Sequence, residues 1–117
     1  MGAPILRGDL YWIASRSDAG YFHPHVVVQE DVFNRSRIDT VVVCALTSNL
    51  HRAHEPGNVL LEVGEGGLER QSVVVVSQID SVLKSSLGER IGAVSPERVE
   101  QILDGLRFQQ RSFFGHD

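Results

Sequence analysis

Short valine-rich runs, each bounded by glycine, proline or polar clusters, constrain this chain more than any other feature. Val26-Val27-Val28, Val41-Val42-Val43-Cys44-Ala45-Leu46, Val59-Leu60-Leu61 and Val73-Val74-Val75-Val76 are too short for helices and rich in β-branched side chains. Runs of this kind read as strands buried in a small β-core. The expected strands cover about Asp9 to Ala14, a second opened by Pro24 and running to Gln29, Thr40 to Leu46, Val59 to Val63 and Ser72 to Ser77. A further strand, Gln78 to Val82, continues or restarts the last one after a kink. Proline is tolerated at the first residue of a strand, where a missing N–H costs least. Ser15 to Gly20 reads as a polar loop, Glu30 to Asp39 as a turn or one short helical turn, and Ser48 to Asn58 as a long polar connection.

One helix is announced near the end. Ser95 is placed to cap it, Pro96 suits its first position and Glu97 complements the N-terminal dipole. Val99, Ile102, Leu103 and Leu106 then recur at helical spacing, which lays one apolar stripe on the β-core. Phe108, Phe113 and Phe114 extend that contact or form an interface. The expected class is mainly β (α+β): one domain over 1–117, with a barrel of five to seven strands over about 7–94 and a C-terminal helix over about 95–110.

Composition limits the function. Hydrophobic residues make up 42% of the 117 and charged residues 22%, which is an ordinary globular balance. No apolar stretch approaches the roughly 20 residues needed to span a bilayer. Met1 to Leu6 lacks the basic start and apolar centre of a signal peptide. With a lone cysteine, Cys44, no intrachain disulfide can form, and a cytoplasmic location is expected. A net charge of −4 argues against permanent residence on nucleic acid, though Arg35, Arg37, Arg52 and Lys84 can build a local basic patch.

His23 is the sharpest chemical candidate. An imidazole exchanges a proton near neutral pH, and the Pro24 that follows places this one at the rim of a strand. His25 lies on the same face by period-two alternation and reads either as a second site residue or, the favoured reading, as an ordinary exposed strand position. Thr47 and Ser48 bring hydroxyls to a strand end, where they either cap a turn or donate to a phosphate oxygen. Asn34 and Arg35 suit a phosphate or a solvated loop equally. His23-x-His25 and His51-x-x-His54 lack a third donor at zinc-like spacing, so neither a metal nor any other cofactor is expected. Gly64-Glu65-Gly66-Gly67 lacks the Lys-Ser/Thr ending and βαβ context of a phosphate loop and reads as a flexible turn.

Taken in order, these segments resemble the MazF/PemK toxins. The resemblance is carried by Arg7-Gly8-Asp9-Leu10-Tyr11-Trp12, His23-Pro24-His25-Val26-Val27-Val28-Gln29, Val43-Cys44-Ala45-Leu46-Thr47-Ser48 and Ser72-Val73-Val74. Gln78-Ile79, Lys84-Ser85-Ser86-Leu87-Gly88 and Ile91-Gly92 before Ser95-Pro96-Glu97 complete it, over residues 7 to about 106. It implies a compact SH3-like barrel forming a homodimer, and the toxin of a type II toxin–antitoxin system. It also implies a sequence-selective endoribonuclease cutting single-stranded RNA without metal, leaving a 2′,3′-cyclic phosphate and a 5′-hydroxyl. The implied partners are a cognate antitoxin with a flexible acidic C-terminal segment, the RNA, and operator DNA through the antitoxin complex only.

By position, the family's catalytic arginine falls on His23 and its catalytic threonine on Thr47. Guanidinium is a poor base where neutral imidazole is a good one, so His23 is expected to act as acid and base. Substrate contacts are expected from Ser48, Asn34, Arg35, Gln78, Ser81 and Lys84. Asp80 stands where many members carry a phosphate-binding cation, and Leu83 where an aspartate is common. Two alternatives share the fold: a binding module that keeps antitoxin contact without cleavage, and a gyrase-directed toxin.

Overall fold

The computed structural model describes residues 4–14 and 21–111; the expected loop over 15–20, Phe113 and Phe114 lie outside the described residues. Among the described residues, six strands form one curled antiparallel sheet. They are β1 (Asp9–Ala14), β2 (Phe22–Val27), β3 (Thr40–Thr47), β4 (Val59–Leu61), β5 (Ser72–Leu83) and β6 (Arg90–Ala93), in the order β4-β5-β3-β2-β1-β6. A short α1 (Asp31–Asn34) follows β2, and α2 (Pro96–Gln109) follows β6. No helix among the described residues is long and apolar enough to cross a membrane.

The valine runs are continuous because both faces of the sheet are covered. Leu10, Val26, Val28, Cys44, Leu46, Val74 and Val76 point to one side, where Ile102 and Leu106 of α2 close the main core. Tyr11, Ile13, Val27, Val41 and Val43 point to the other, under Val82 and Leu87. Cys44 is fully buried, and burial pushes its thiol up to about 12, so it stays protonated and inert. At the start of α2 the Ser95 hydroxyl accepts the Arg98 N–H at 3.2 Å, the cap that the Ser-Pro-Glu signature predicts.

Strand bounds differ from the sequence reading at several points: β2 runs Phe22–Val27, so Pro24 lies inside it and does not open it, and β4 ends at Leu61, not Val63. Of the two readings at Gln78, continuation after a kink is the one the structure has. The kink is a bulge inside one strand, with Cys44 opposite Ile79 and Leu46 opposite Val74, so Ala45 alone faces residues 75–78 of β5. Extra residues on one strand bend it without ending the ladder, and this bend curls the sheet. β6 has a single large aliphatic side chain, Ile91, and was not foreseen as a strand. It is held by backbone pairing to β1, which leaves no side-chain pattern to read.

The glycine turn after β4 is packed, not flexible. Gly66 has φ +58°, a left-handed conformation, and a Cβ there would lie 2.6 Å from Leu10 Cδ1. Its carbonyl sits against Gly92 of β6 so closely that no side chain fits between them. This contact brings the β4 side of the sheet to its β6 edge and closes the curl. Arg98 holds it with two bonds to Glu65, of 2.9 and 2.8 Å, and these bonds keep the Glu65 carboxyl below the usual carboxylate range.

Candidate active site

The ladder between β2 and β3 runs from Val27↔Val43 to His25↔Ala45 and stops there. The next residue on β2 is Pro24, which has no N–H to give. Beyond it β2 stays paired with β1, out to Phe22↔Ala14, while β3 goes its own way. The gap so formed is a cleft of about 590 Å³. Trp12, Phe22, His23 and Pro24 line it from β1 and β2, Leu46, Thr47 and Ser48 from the end of β3, and 67–70, Ser72 and 89–91 complete it.

His23 is exposed, and Tyr21 stacks on its ring with centroids 6.3 Å apart and planes at 19°. Thr47 Oγ1 accepts the Asn49 N–H at 3.2 Å, which turns the chain out of β3. The capping role of a strand-end hydroxyl is therefore real. It uses an oxygen lone pair and leaves the hydroxyl proton to donate elsewhere. Ser48 is exposed beside it.

His23 and Thr47 also border a second hollow on the opposite side of the sheet, lined further by His25, Ala45, Arg52, Gln78 and Asp80. His25 is half-buried there, contrary to the exposed strand position expected of it. The bend of β5 folds Gln78 to Asp80 over the strand and covers it. Its Nδ1 donates to the His23 carbonyl at 2.9 Å, and burial holds its pKa below the ordinary histidine value. Neutral at physiological pH, His25 offers Nε2 as an acceptor.

The other expected contacts are dispersed. Gln78 is exposed in the second hollow. Ser81 is exposed on β5 opposite Val42, outside both hollows, and its backbone N–H donates to Asp80 Oδ1 at 2.8 Å. Asn34, Arg35 and Lys84 gather near the start of β3, whose eight residues separate them from Thr47 by roughly 23 Å. Asn34 is 7% exposed and its side chain bonds Gln29 and Asp31, while Lys84 Nζ donates to the carbonyls of Asn34 and Ser36 at 3.1 Å. Their polar groups serve the fold. Arg70, which borders the cleft, was missed because a lone arginine in a polar turn carries no pattern. Trp12 had a signal: it is the alternation partner of buried Leu10, yet it is 36% exposed.

No three His, Cys, Asp or Glu side chains among the described residues are grouped to hold a metal ion. Residues 6–109 match the family described as PemK-like, MazF-like toxin of type II toxin–antitoxin system. Endoribonuclease MazF2 of Mycobacterium bovis is 36% identical over 107 residues, covering 88% of this chain and 94% of that protein. Endoribonuclease EndoA of Bacillus subtilis is 29% identical over 107 residues, covering 88% and 91%. A solved mycobacterial endoribonuclease in complex with its cognate antitoxin superposes with a TM-score of 0.73 at 27% identity, covering 89% of this chain and 92% of that one.

Proposed function

Because the chain belongs to the family of PemK-like and MazF-like toxins of type II toxin–antitoxin systems, we propose that it is an endoribonuclease toxin cutting single-stranded RNA at the β2–β3 opening. The observation that carries this reading is the meeting of His23 with Thr47 and Ser48 on one cleft, at the point where the β2–β3 ladder ends. Neutral imidazole of His23 takes the proton of a ribose 2′-hydroxyl, whose oxygen attacks the adjacent phosphorus. The bond from phosphorus to the 5′ oxygen breaks, and the imidazolium returns a proton to that oxygen. The products are a 2′,3′-cyclic phosphate and a 5′-hydroxyl, so protons and bonds balance without a metal. Thr47 and Ser48 donate hydrogen bonds to the non-bridging oxygens as negative charge builds on them. Gln78 reaches the substrate from the second hollow.

The related mycobacterial structure holds an antitoxin. By that likeness the partner here is a small antitoxin whose acidic C-terminal segment orders on binding and covers the cleft. The homodimeric state, the repression of operator DNA by the toxin–antitoxin complex and the cytoplasmic site of action belong to the same reading. The test is incubation of the purified protein with a long single-stranded RNA in EDTA, with the cut ends mapped. Cyclic phosphate and 5′-hydroxyl ends are expected. Wild-type rates in both His23→Ala and Thr47→Ala would sink the assignment of these residues.

A further inference from the structure

The second half of β5 has an outer edge that no strand covers among the described residues. Val42 turns its carbonyl toward β2, where it accepts the N–H groups of Val28 and Gln29 at 3.0 and 3.3 Å. Backbone groups alternate along a strand, so Val41 and Val43 face β5, and their partners Val82 and Asp80 face back. Ile79, Ser81 and Leu83 therefore point their N–H and C=O groups away from β3. On that side β4 pairs only with residues 72–74, and the Asn58 side chain accepts the Val76 N–H at 3.0 Å. From Ile79 onward the only bond is local, from the Ser81 N–H to Asp80 Oδ1 at 2.8 Å.

Open edges take up further strands, and soluble proteins cover or interrupt them. This one continues into apolar and cationic surface. Leu83 is 52% exposed at its far end. Lys84 draws residues 34–39 against that end: its N–H donates to the Asp39 carbonyl at 2.7 Å, and its Nζ to the carbonyls of Asn34 and Ser36. This segment and α1 carry Val32, Phe33 and Ile38, all exposed. They also carry Arg35 and Arg37, exposed guanidinium groups with no hydrogen bond or ion pair among the described residues. Of the acids there, Asp31 already accepts from Arg7 and Asn34, which leaves Asp39. At its other end the edge borders the hollow of His23 and Thr47, which Gln78, Ile79, Asp80 and Val82 also line.

Unpaired backbone binds an extended peptide by strand addition, and the surface beside it selects the side chains. Resting on the toxin reading above, we infer that an extended acidic segment of the antitoxin adds as a strand to the outer edge of β5. Its apolar side chains meet Leu83 and Ile38, and its carboxylates meet Arg35 and Arg37. A second copy adding its own edge would bring Asp80 and Lys84, charges that cancel, whereas an acidic segment complements the arginines. The edge thus anchors the partner beside the hollow, and the continuing segment covers the reacting strand ends.

The probe is a synthetic peptide alternating valine and glutamate, with binding followed by amide hydrogen exchange. Wild-type protein should bind it with slowed exchange at Ile79 and Leu83, and with affinity that falls as salt rises. Ser81→Pro removes an N–H that the β3 ladder does not use, so the strand tolerates it, and binding should weaken about tenfold. Leu83→Glu leaves the backbone intact and should weaken binding by charge. The pair Arg35→Gln and Arg37→Gln should weaken it by about fivefold and flatten the salt dependence. Arg107→Gln, on the exposed side of α2, should change nothing. Absence of binding, or binding that leaves exchange at Ile79 and Leu83 unaltered, overturns the inference. So does a Ser81→Pro protein of lower solution mass, which assigns the edge to a second copy. RNA cleavage in EDTA by the same wild-type protein tests the nuclease reading separately.

Discussion

At the start of β3, Gln29, Asp31, Asn34 and Lys84 are bound to one another and to nearby backbone, and Arg7 donates its backbone N–H to Asp31 at 2.7 Å. At the end of β3, His23 and Ser48 are exposed, and Arg70 faces them across the cleft with no partner among the described residues. Both regions combine cationic, amide or hydroxyl groups of the kind that bind phosphate. The difference is saturation. A polar group whose donors and acceptors are already used stabilises the chain, and one left unsatisfied at a cleft is available to a substrate. Residue type alone does not separate the two cases.

The largest expected effect lies at the open end. His23→Ala should lower the RNA cleavage rate by about 10²- to 10⁴-fold, with the melting temperature unchanged because the side chain is exposed. Thr47→Ala should cost about 10²-fold; equal rates in single-turnover assays would erase the contrast between the ends. Asn34→Ala should do the reverse. It should cut the unfolding free energy by about 2 kcal/mol in urea titrations, with cleavage per folded molecule intact. A loss of cleavage without loss of stability would show that the saturated end binds substrate after all. Lys84→Met removes two hydrogen bonds to carbonyls and should cost about 1 kcal/mol by the same measurement.

The smallest effect is one of pH. His25 has a folded-state pKa below its unfolded value, so the unfolded chain binds the extra proton first as pH falls. The stability that neutral His25 contributes is fully present above about pH 6.5, declines as pH drops below that value, and is lost once pH has fallen through the lower folded pKa. Asp31, held down chiefly by the Arg7 backbone N–H, adds a second loss of the same sign at lower pH, below the ordinary carboxylate value. His25→Gln should flatten the first decline in a series of melts and leave the second. An unchanged profile would mean that His25 is as exposed as strand alternation alone suggests.

Much of the fold was legible because its signals are local. Asp9–Ala14 is bounded where expected, and Ser95-Pro96-Glu97 marks the start of α2 to the residue. The valine runs identify the buried strands, since only a sheet covered on both faces tolerates them. The kink read at Gln78 is present, and only the structure decided that the strand continues through it: exposed Ser77 and Gln78 belong to a bulge whose ladder continues on either side. β6 was missed because it is a strand made by backbone pairing alone.

The candidate site divides along the same line. His23, Thr47 and Ser48 were legible because each stands at a strand end, next to a proline or a polar connection. The grouping of Asn34, Arg35 and Lys84 with them was not, because it depends on which end of β3 each residue reaches. By itself the sequence determined the buried valine-rich strands, the helix, the inert buried Cys44 and, through the order of its motifs, the family. Only the tertiary structure decided that β2 and β3 part at Pro24, that β5 bends over His25, and that Arg70 and Trp12 share a cleft with His23. Those facts follow from ladder register and chain curl, which join residues far apart in sequence and leave no local pattern behind.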